Sequence, residues 1–389
     1  MSKINIDKFV LSFWGYRDFG RQDAEETVKM WKDAGFNVAF SFIYRTNGDY
    51  TAQMQELLRL CEKYEMKLIL YEDRIHVHRL KEDGEEKYRE AVLRAVREFA
   101  HYPAAYAFFI MDEPNKEMLP YMRRALEIIG ELSPLPAFVN FFPTWNAPDY
   151  EECMGVTQDE TANLYVPLIK ETGLLWTAYD CYSAQNCRDE EGGAESYFRN
   201  LNIFRRISEE AGTPLMTSLL STGHWHYRTP TLGDFRFQLY SAVAHGVKGI
   251  QWFMLYDGVD DAMFGDSPID EFNSETSTYY DMRKVNREFG EYYGDKVIKL
   301  RLDAVYHYIK SYGGTPLYAD GCDAVIGKFV AEYKEFMIVS RFTHEETGKT
   351  WIMVVNGNRE KSNRVWIDTV GGKKVNQYLR PGGFYLFEA

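Results

Sequence analysis

Residues 23–43 read Asp23-Ala24-Glu25-Glu26-Thr27-Val28-Lys29-Met30-Trp31-Lys32-Asp33-Ala34-Gly35-Phe36-Asn37-Val38-Ala39-Phe40-Ser41-Phe42-Ile43. Asp23 stands three residues before Glu26, the spacing of a capping box at a helix start. Val28, Trp31 and Ala34 follow at helical spacing, and Gly35 stops the helix. Asn37 to Ile43 then forms a short apolar run of strand length. An earlier run, Phe9-Val10-Leu11-Ser12-Phe13-Trp14, precedes the helix. Strand, helix, glycine, strand is one βα repeat.

The same alternation continues outward from this unit. Strands are predicted at Lys67 to Tyr71, Ala104 to Met111, Ala137 to Asn140, Leu174 to Tyr182, Leu215 to Leu220 and Ile250 to Tyr256. Helices are predicted near residues 50–64 and 84–100. Another, carrying Leu232, Phe235, Leu239 and Val243, stops at Gly246. Near-continuous apolar strands between amphipathic helices imply a parallel sheet covered on its outside. Eight such units in about 300 residues predict an α/β fold of the (β/α)8 TIM barrel kind. From Ala304 the pattern changes to short alternating strands separated by turns such as Asn356-Gly357-Asn358 and Gly371-Gly372. The expected organisation is a barrel over residues 1–302 and a small C-terminal antiparallel β-sandwich over 303–389.

Composition limits the function classes. The net charge of −13 and the lack of a Lys/Arg-rich run argue against a nucleic-acid partner and against a membrane surface. No apolar run is long enough to cross a bilayer, and the N-terminus lacks the apolar stretch of a signal peptide. The five cysteines form no CxxC pair. They are read as reduced thiols of a cytoplasmic protein. Neither GxGxxG nor GxxxxGK[ST] follows the first strand, so no nucleotide cofactor is expected. Aromatic residues make up 16%, which fits either large cores or a cleft that stacks the flat faces of sugar rings.

In such a barrel the chemistry sits where the strands end. The first strand ends in Trp14, Tyr16, Arg17 and Asp18, and the second in Tyr44 and Arg45. The third ends in Tyr71, Glu72 and Asp73, the fourth in Asp112 and Glu113, and the fifth in Asn140. The sixth ends in Tyr179, Asp180 and Tyr182. The seventh runs on to His224 and Trp225, and the eighth carries Trp252, Tyr256 and Asp257. The fourth is the most informative: Phe108-Phe109-Ile110-Met111 runs straight into Asp112-Glu113-Pro114. Two adjacent carboxylates at the end of an apolar strand are costly unless used, and their repulsion raises one pKa toward that of a general acid. The plainer alternative makes Asp112 a helix cap and pairs Glu113 with a rim arginine.

This strand resembles the acid/base strand of barrel glycoside hydrolases. The largest clan of these has Asn-Glu there and a second Glu ending the seventh strand. This chain departs from both features, because Leu215 to Thr222 carries no carboxylate. The Asp-Glu pair is similar to that of the substrate-assisted β-N-acetylhexosaminidases and β-N-acetylgalactosaminidases, the latter (family 123) most of all. That resemblance implies Glu113 as acid/base and Asp112 as the residue orienting the substrate's 2-acetamido group. It also implies Tyr179-Asp180 as a Tyr-Asp pair like that of chitinase-like barrels, and Trp252 as the pocket floor. The remaining rim residues, Trp14, Tyr44, Tyr71, Glu72, Asp73, Asn140, Tyr182, His224, Trp225 and Tyr256, would contact a small saccharide.

Several alternatives stay open from the residues alone. Glu72-Asp73 either binds sugar hydroxyls, serves as a base, or forms an ion pair between Asp73 and Arg74. His224-Trp225-His226 lacks an evident third ligand and is read as a substrate-contact loop rather than a zinc site. Asp257, Asp260, Asp261, Asp266, Asp270 and Glu271 do not match a calcium loop and are read as a solvated acidic loop, so no metal is expected. A glycosidase pairing Glu113 with Asp180, Glu72 or Asp257, in the manner of a β-galactosidase, is a second reading. A barrel that binds saccharide without cleaving it is a third.

Overall fold

The computed structural model describes residues 7–15, 23–44, 50–145, 147–257 and 263–389. The expected rim positions Tyr16, Arg17, Asp18, Arg45, Asp260 and Asp261 lie outside the described residues. Asp23 begins α1 (Ala24–Asp33) by accepting the backbone N–H groups of Glu25 and Glu26. The chain then alternates as its sequence predicts. β1 (Val10–Phe13) and α1 lead to β2 (Val38–Tyr44), α2 (Tyr50–Lys63) and β3 (Lys67–Glu72). Next come α3 (Val77–Asp83), α4 (Glu85–Phe99), β4 (Ala105–Asp112), α5 (Leu119–Leu132) and β5 (Ala137–Asn140). They are followed by α6 (Ala147–Met154), α7 (Thr161–Thr172), β6 (Thr177–Asp180), α8 (Glu190–Ala211) and β7 (Leu215–Leu220). A two-residue β8 (Gly223–His224), α9 (Leu232–Ala244), β9 (Gly249–Phe253), a two-residue β10 (Phe264–Gly265) and α10 (Ser277–Phe289) complete this part.

The long strands form two four-stranded parallel sheets, β2-β3-β4-β5 and β1-β9-β7-β6. The sheets touch at two seams. At one, the Phe141 N–H donates to the Ala178 carbonyl at 2.7 Å. At the other, Asn37 bridges β1 and β2: its N–H donates to the Leu11 carbonyl at 3.1 Å, and its side chain bonds the Leu11 N–H and the Phe9 carbonyl. Side chains alternate across each strand. Trp14, Phe40 and Phe109 pack on one another inside, whereas Phe13 packs outward on Trp31 and Phe36. Burying this many aromatic rings on both faces accounts for much of the aromatic content.

β11 (Leu300–Tyr308) opens the antiparallel part, so the expected division after residue 302 falls inside a strand. Two sheets face each other there. One runs β11, β13 (Met337–His344), β14 (Thr350–Asn356), β17 (Phe384–Glu388); the other runs β12 (Ile326–Ala331), β15 (Asn363–Thr369), β16 (Lys374–Leu379). Ile326, Phe329, Val339, Ile352, Val365 and Ile367 fill the layer between them. β12 and β16 are absent from the sequence reading. A register shift after Ile326 interrupts the alternation of β12, and β16 buries only Leu379, so neither presents a clean strand pattern.

The antiparallel part seats on α9. Ser340 donates to the Ala244 carbonyl at 2.7 Å, and Phe384 packs on Tyr240 at 4.3 Å. Backbones meet closely at the start of α9. A Cβ on Gly382, whose φ is +62°, would lie 2.1 Å from the Gly233 carbonyl oxygen. A methyl group there forces the two parts apart. Gly321 has a similar φ of +83° but open space, so Gly321→Ala reports backbone strain alone. Gly382→Ala is expected to destabilise by about 1–3 kcal/mol more than Gly321→Ala in urea titrations; equal losses would mean the contact is slack.

Candidate active site

Asn140, at the end of β5, gathers the carboxylates of three strand ends. Its amide nitrogen donates to Asp112 Oδ1 at 3.0 Å and to Asp180 Oδ1 at 2.8 Å. Its backbone carbonyl accepts the Glu113 N–H at 2.9 Å. The register of β4 against β5 shifts between Phe109 and Met111, an irregularity that leaves both Phe109 and Asp112 facing inward. Asp112 then lies directly beside Asn140. Glu113 leaves the strand with φ +42°, a left-handed conformation that is strained for a side chain of this size. The hydrogen bond to Asn140 holds it there, and such strain is characteristic of functional positions.

The electrostatics separate these carboxyls. The Glu113 carboxyl is raised well above the ordinary range, first by burial, then by the charge of Asp180, then by that of Asp112. Water reaches it, since the residue is exposed by surface area, yet the protein crowded around it still penalises charge. Asp180 is buried and also raised, by burial and by Asp112, while hydrogen bonds from Asn140 and Tyr182 oppose the rise. A carboxyl with a raised folded value is unstrained below its unfolded pKa and costs stability as pH climbs toward its folded value. Glu113→Gln removes that cost. The variant is expected to melt above the parent, by a margin that grows from pH 4.5 upward; a constant or negative margin in thermal melts across pH would contradict the assignment.

Strand alternation sorts the other expected site residues. Asp180 faces inward, so Tyr179 faces out and stacks on Phe204 of α8 at 4.0 Å and 4°. Trp252 likewise points out, donating to Asn286 Oδ1 at 2.8 Å, and its neighbour Phe253 takes the inward place. Glu72 is buried among helices, accepting three hydrogen bonds from Arg74, which also pairs with Glu98 at 2.7 Å. Arg74 stacks on the Tyr44 ring at 4.3 Å, and Tyr44 bonds Thr51. The partner of Asp73 is Arg79, at 2.5 Å, rather than Arg74. Tyr256 accepts from the Trp31 indole at 2.6 Å. Trp14 is fully buried, donating to Ser218 Oγ at 2.8 Å beneath the mouth. These residues build the frame and do not line the mouth.

The mouth keeps Asp112, Glu113, Asn140, Asp180, Tyr71 and Tyr182, together with His224 and Trp225. Tyr182 stacks on Phe253 at 4.9 Å and lies edge-on to Tyr227 at 6.3 Å. Tyr71 stacks on His76 at 6.0 Å. Phe253, Tyr227 and His76 are therefore rim residues that the sequence reading missed. Phe253 had a signal, since it adjoins Trp252 and strand parity decides between them. Asp257 accepts from Ser267 at 2.6 Å, and Asp270 closes a turn onto the N–H groups of Phe272 and Ser274. Among the described residues no group of three or more His, Cys, Asp or Glu side chains forms a metal cage. No helix among them is long and apolar enough to cross a membrane.

No family model and no curated protein matches the chain. Solved structures do. A family 5 glycoside hydrolase from Bacteroides vulgatus aligns with a TM-score of 0.58 at 10% identity, over 98% of this chain and 86% of its own. A catalytic mutant of a GH42 beta-galactosidase from G. stearothermophilus aligns at 0.57 and 10% identity, over 98% of both chains. The beta-galactosidase of the psychrophilic Marinomonas ef1 aligns at 0.55 and 12% identity over 75% of this chain, which spans 62% of its length. At such identities the likeness is one of fold. Two of the alignments include the antiparallel sheets.

Proposed function

We propose that this chain is a glycoside hydrolase acting on a terminal β-linked sugar, with Glu113 as its acid/base. The observation that carries the reading is the raised Glu113 carboxyl at the end of β4, held by Asn140 beside Asp112 and Asp180. We also take the two parallel sheets as halves of one (β/α)8 barrel. The backbone bonds at both seams and the fold of the structural neighbours support that closure.

Within this reading the substrate is an N-acetylhexosamine cleaved with help from its own acetamido group. β7 offers no carboxylate nucleophile, and Asp112 and Asp180 stand together where an acetamido group needs a fixed partner. Protonated Glu113 donates to the glycosidic oxygen as the C1–O bond breaks, and the acetamido oxygen closes onto C1. Asp112 and Asp180 balance the positive charge of that ring. Water then opens it at C1, losing its proton to the Glu113 carboxylate, which restores the acid. Tyr182 and Phe253 replace Tyr179 and Trp252 as the walls of the sugar site. Two of the structural neighbours are a family 5 glycoside hydrolase and a GH42 beta-galactosidase.

One observation favours a second reading. Asn140 ties Asp180 to the strand end that carries Glu113, and the charge of Asp180 helps to raise the Glu113 carboxyl. Asp180 would then be the second carboxylate of a β-galactosidase-like pair, leaving the 2-position free. A screen of nitrophenyl β-glycosides divides the two: turnover confined to 2-acetamido sugars supports substrate assistance, and turnover of β-galactosides rejects it. In both readings Glu113→Gln lowers kcat about 10²- to 10⁴-fold, and a parent-like rate rejects Glu113 as the acid.

The pH profile follows from the same geometry. A general acid works protonated, so activity falls as pH rises through the elevated Glu113 value. Removing a neighbouring negative charge lowers that value. Asp180→Asn is therefore expected to shift the alkaline limb of kcat/KM to lower pH. A limb that stays fixed, or moves upward, would contradict the coupling of the two carboxyls.

A further inference from the structure

We propose that Trp225 is the platform on which the leaving group of the substrate stacks, so that the preferred substrates carry a flat, apolar-faced group beyond the cleaved bond: a second pyranose ring or an aryl aglycone. This rests on the reading of Glu113 as the acid of an exo-acting glycosidase.

The residue sits at an unusual place in the chain. His224 and Tyr227 exchange both backbone hydrogen bonds, at 3.0 and 2.8 Å, which makes Trp225 and His226 the two-residue loop of a tight hairpin. Such loops hold φ positive and favour Gly, Asn or Asp. Trp225 has φ +50° and is 66% exposed. A small polar residue would relieve the strain and the exposed apolar surface together. Burial does not account for an indole here, since most of the residue faces solvent; its local contacts are the stack on His224 and the Nε1–H bond to Met263 Sδ at 2.5 Å.

The ring is nevertheless held in place. Trp225 stacks on His224 at 4.3 Å and 25°, and His224 stacks on Phe264 at 4.3 Å and 1°. β8 and β10 pair beneath them, and the Trp225 N–H donates to the Met263 carbonyl at 3.2 Å. The stack continues inward. His224 meets Phe253 edge-on at 5.7 Å, and Phe253 stacks on Tyr182, which bonds Asp180. An aromatic path thus runs from the carboxylates to the surface, and Trp225 is its outer end. A terminal sugar seated against the carboxylates points its leaving group outward along this path. The face of an indole fixed at that end fits the apolar face of a sugar or aryl ring.

The test uses Trp225→Asn, which suits the hairpin and so keeps the fold. The 4-methylumbelliferyl β-glycoside and the β-glycosyl fluoride of the same sugar are compared, N-acetylglucosamine and galactose each being tried. Stacking at this position predicts that the ratio of kcat/KM, aryl over fluoride, drops roughly 3- to 10-fold in Trp225→Asn, through KM. Trp225→Phe should recover most of the ratio. A ratio within twofold of the parent, or an equal fall on both substrates, overturns the proposal. If the parent turns over neither substrate while folded, the glycosidase reading itself fails, and this inference with it.

Discussion

Three hydrogen bonds made by Asn140 hold the site in one arrangement. The amide nitrogen fixes the relation of Asp112 to Asp180, and the carbonyl fixes the strained backbone of Glu113. Asn140 also sits near the seam where β5 meets β6, because the next residue, Phe141, supplies the backbone bond between the two sheets. One short strand end thus positions the carboxylates and joins the sheets that carry them. The Asn140 side-chain oxygen is buried and without a hydrogen-bond partner among the described residues. An aspartate there would add a fourth carboxyl to the cluster and lose both N–H donors.

The raised Glu113 carboxyl follows from this crowding. Burial penalises the charged form, and two neighbouring carboxylates add repulsion. Among the described residues no cation relieves it in the way that Arg74 relieves the buried Glu72. The two acidic sites therefore separate by role. Glu72 belongs to an ion-pair network with Arg74 and Glu98 between sheet and helix. Glu113 keeps its proton because its surroundings make losing it expensive, and a proton held at neutral pH is what a general acid needs.

Much of this was legible in the sequence. Apolar runs broken by a capping box and by glycines predicted the order of parallel strands, and the Asp112-Glu113 pair singled out at the end of one of them stands beside Asn140 and Asp180. What the sequence did not show is which way each side chain points. Adjacent residues on a strand face opposite sides, so in Tyr179-Asp180 and Trp252-Phe253 only one residue of each pair reaches the mouth. Parity also depends on the irregularity in β4, which no composition or spacing rule announces. The strands β12 and β16 escaped for a related reason, since a register shift after Ile326 breaks the pattern of one and only Leu379 of the other is buried.

The most direct measurement is the protonation of Glu113 itself. Infrared difference spectra between the parent and Glu113→Gln, recorded across pH, isolate the band of that one carboxyl. A protonated C=O band that persists through neutral pH and disappears only in alkaline solution is the predicted result. Titration near the ordinary carboxylate value of 4.5 would contradict the assignment of Glu113 as the acid.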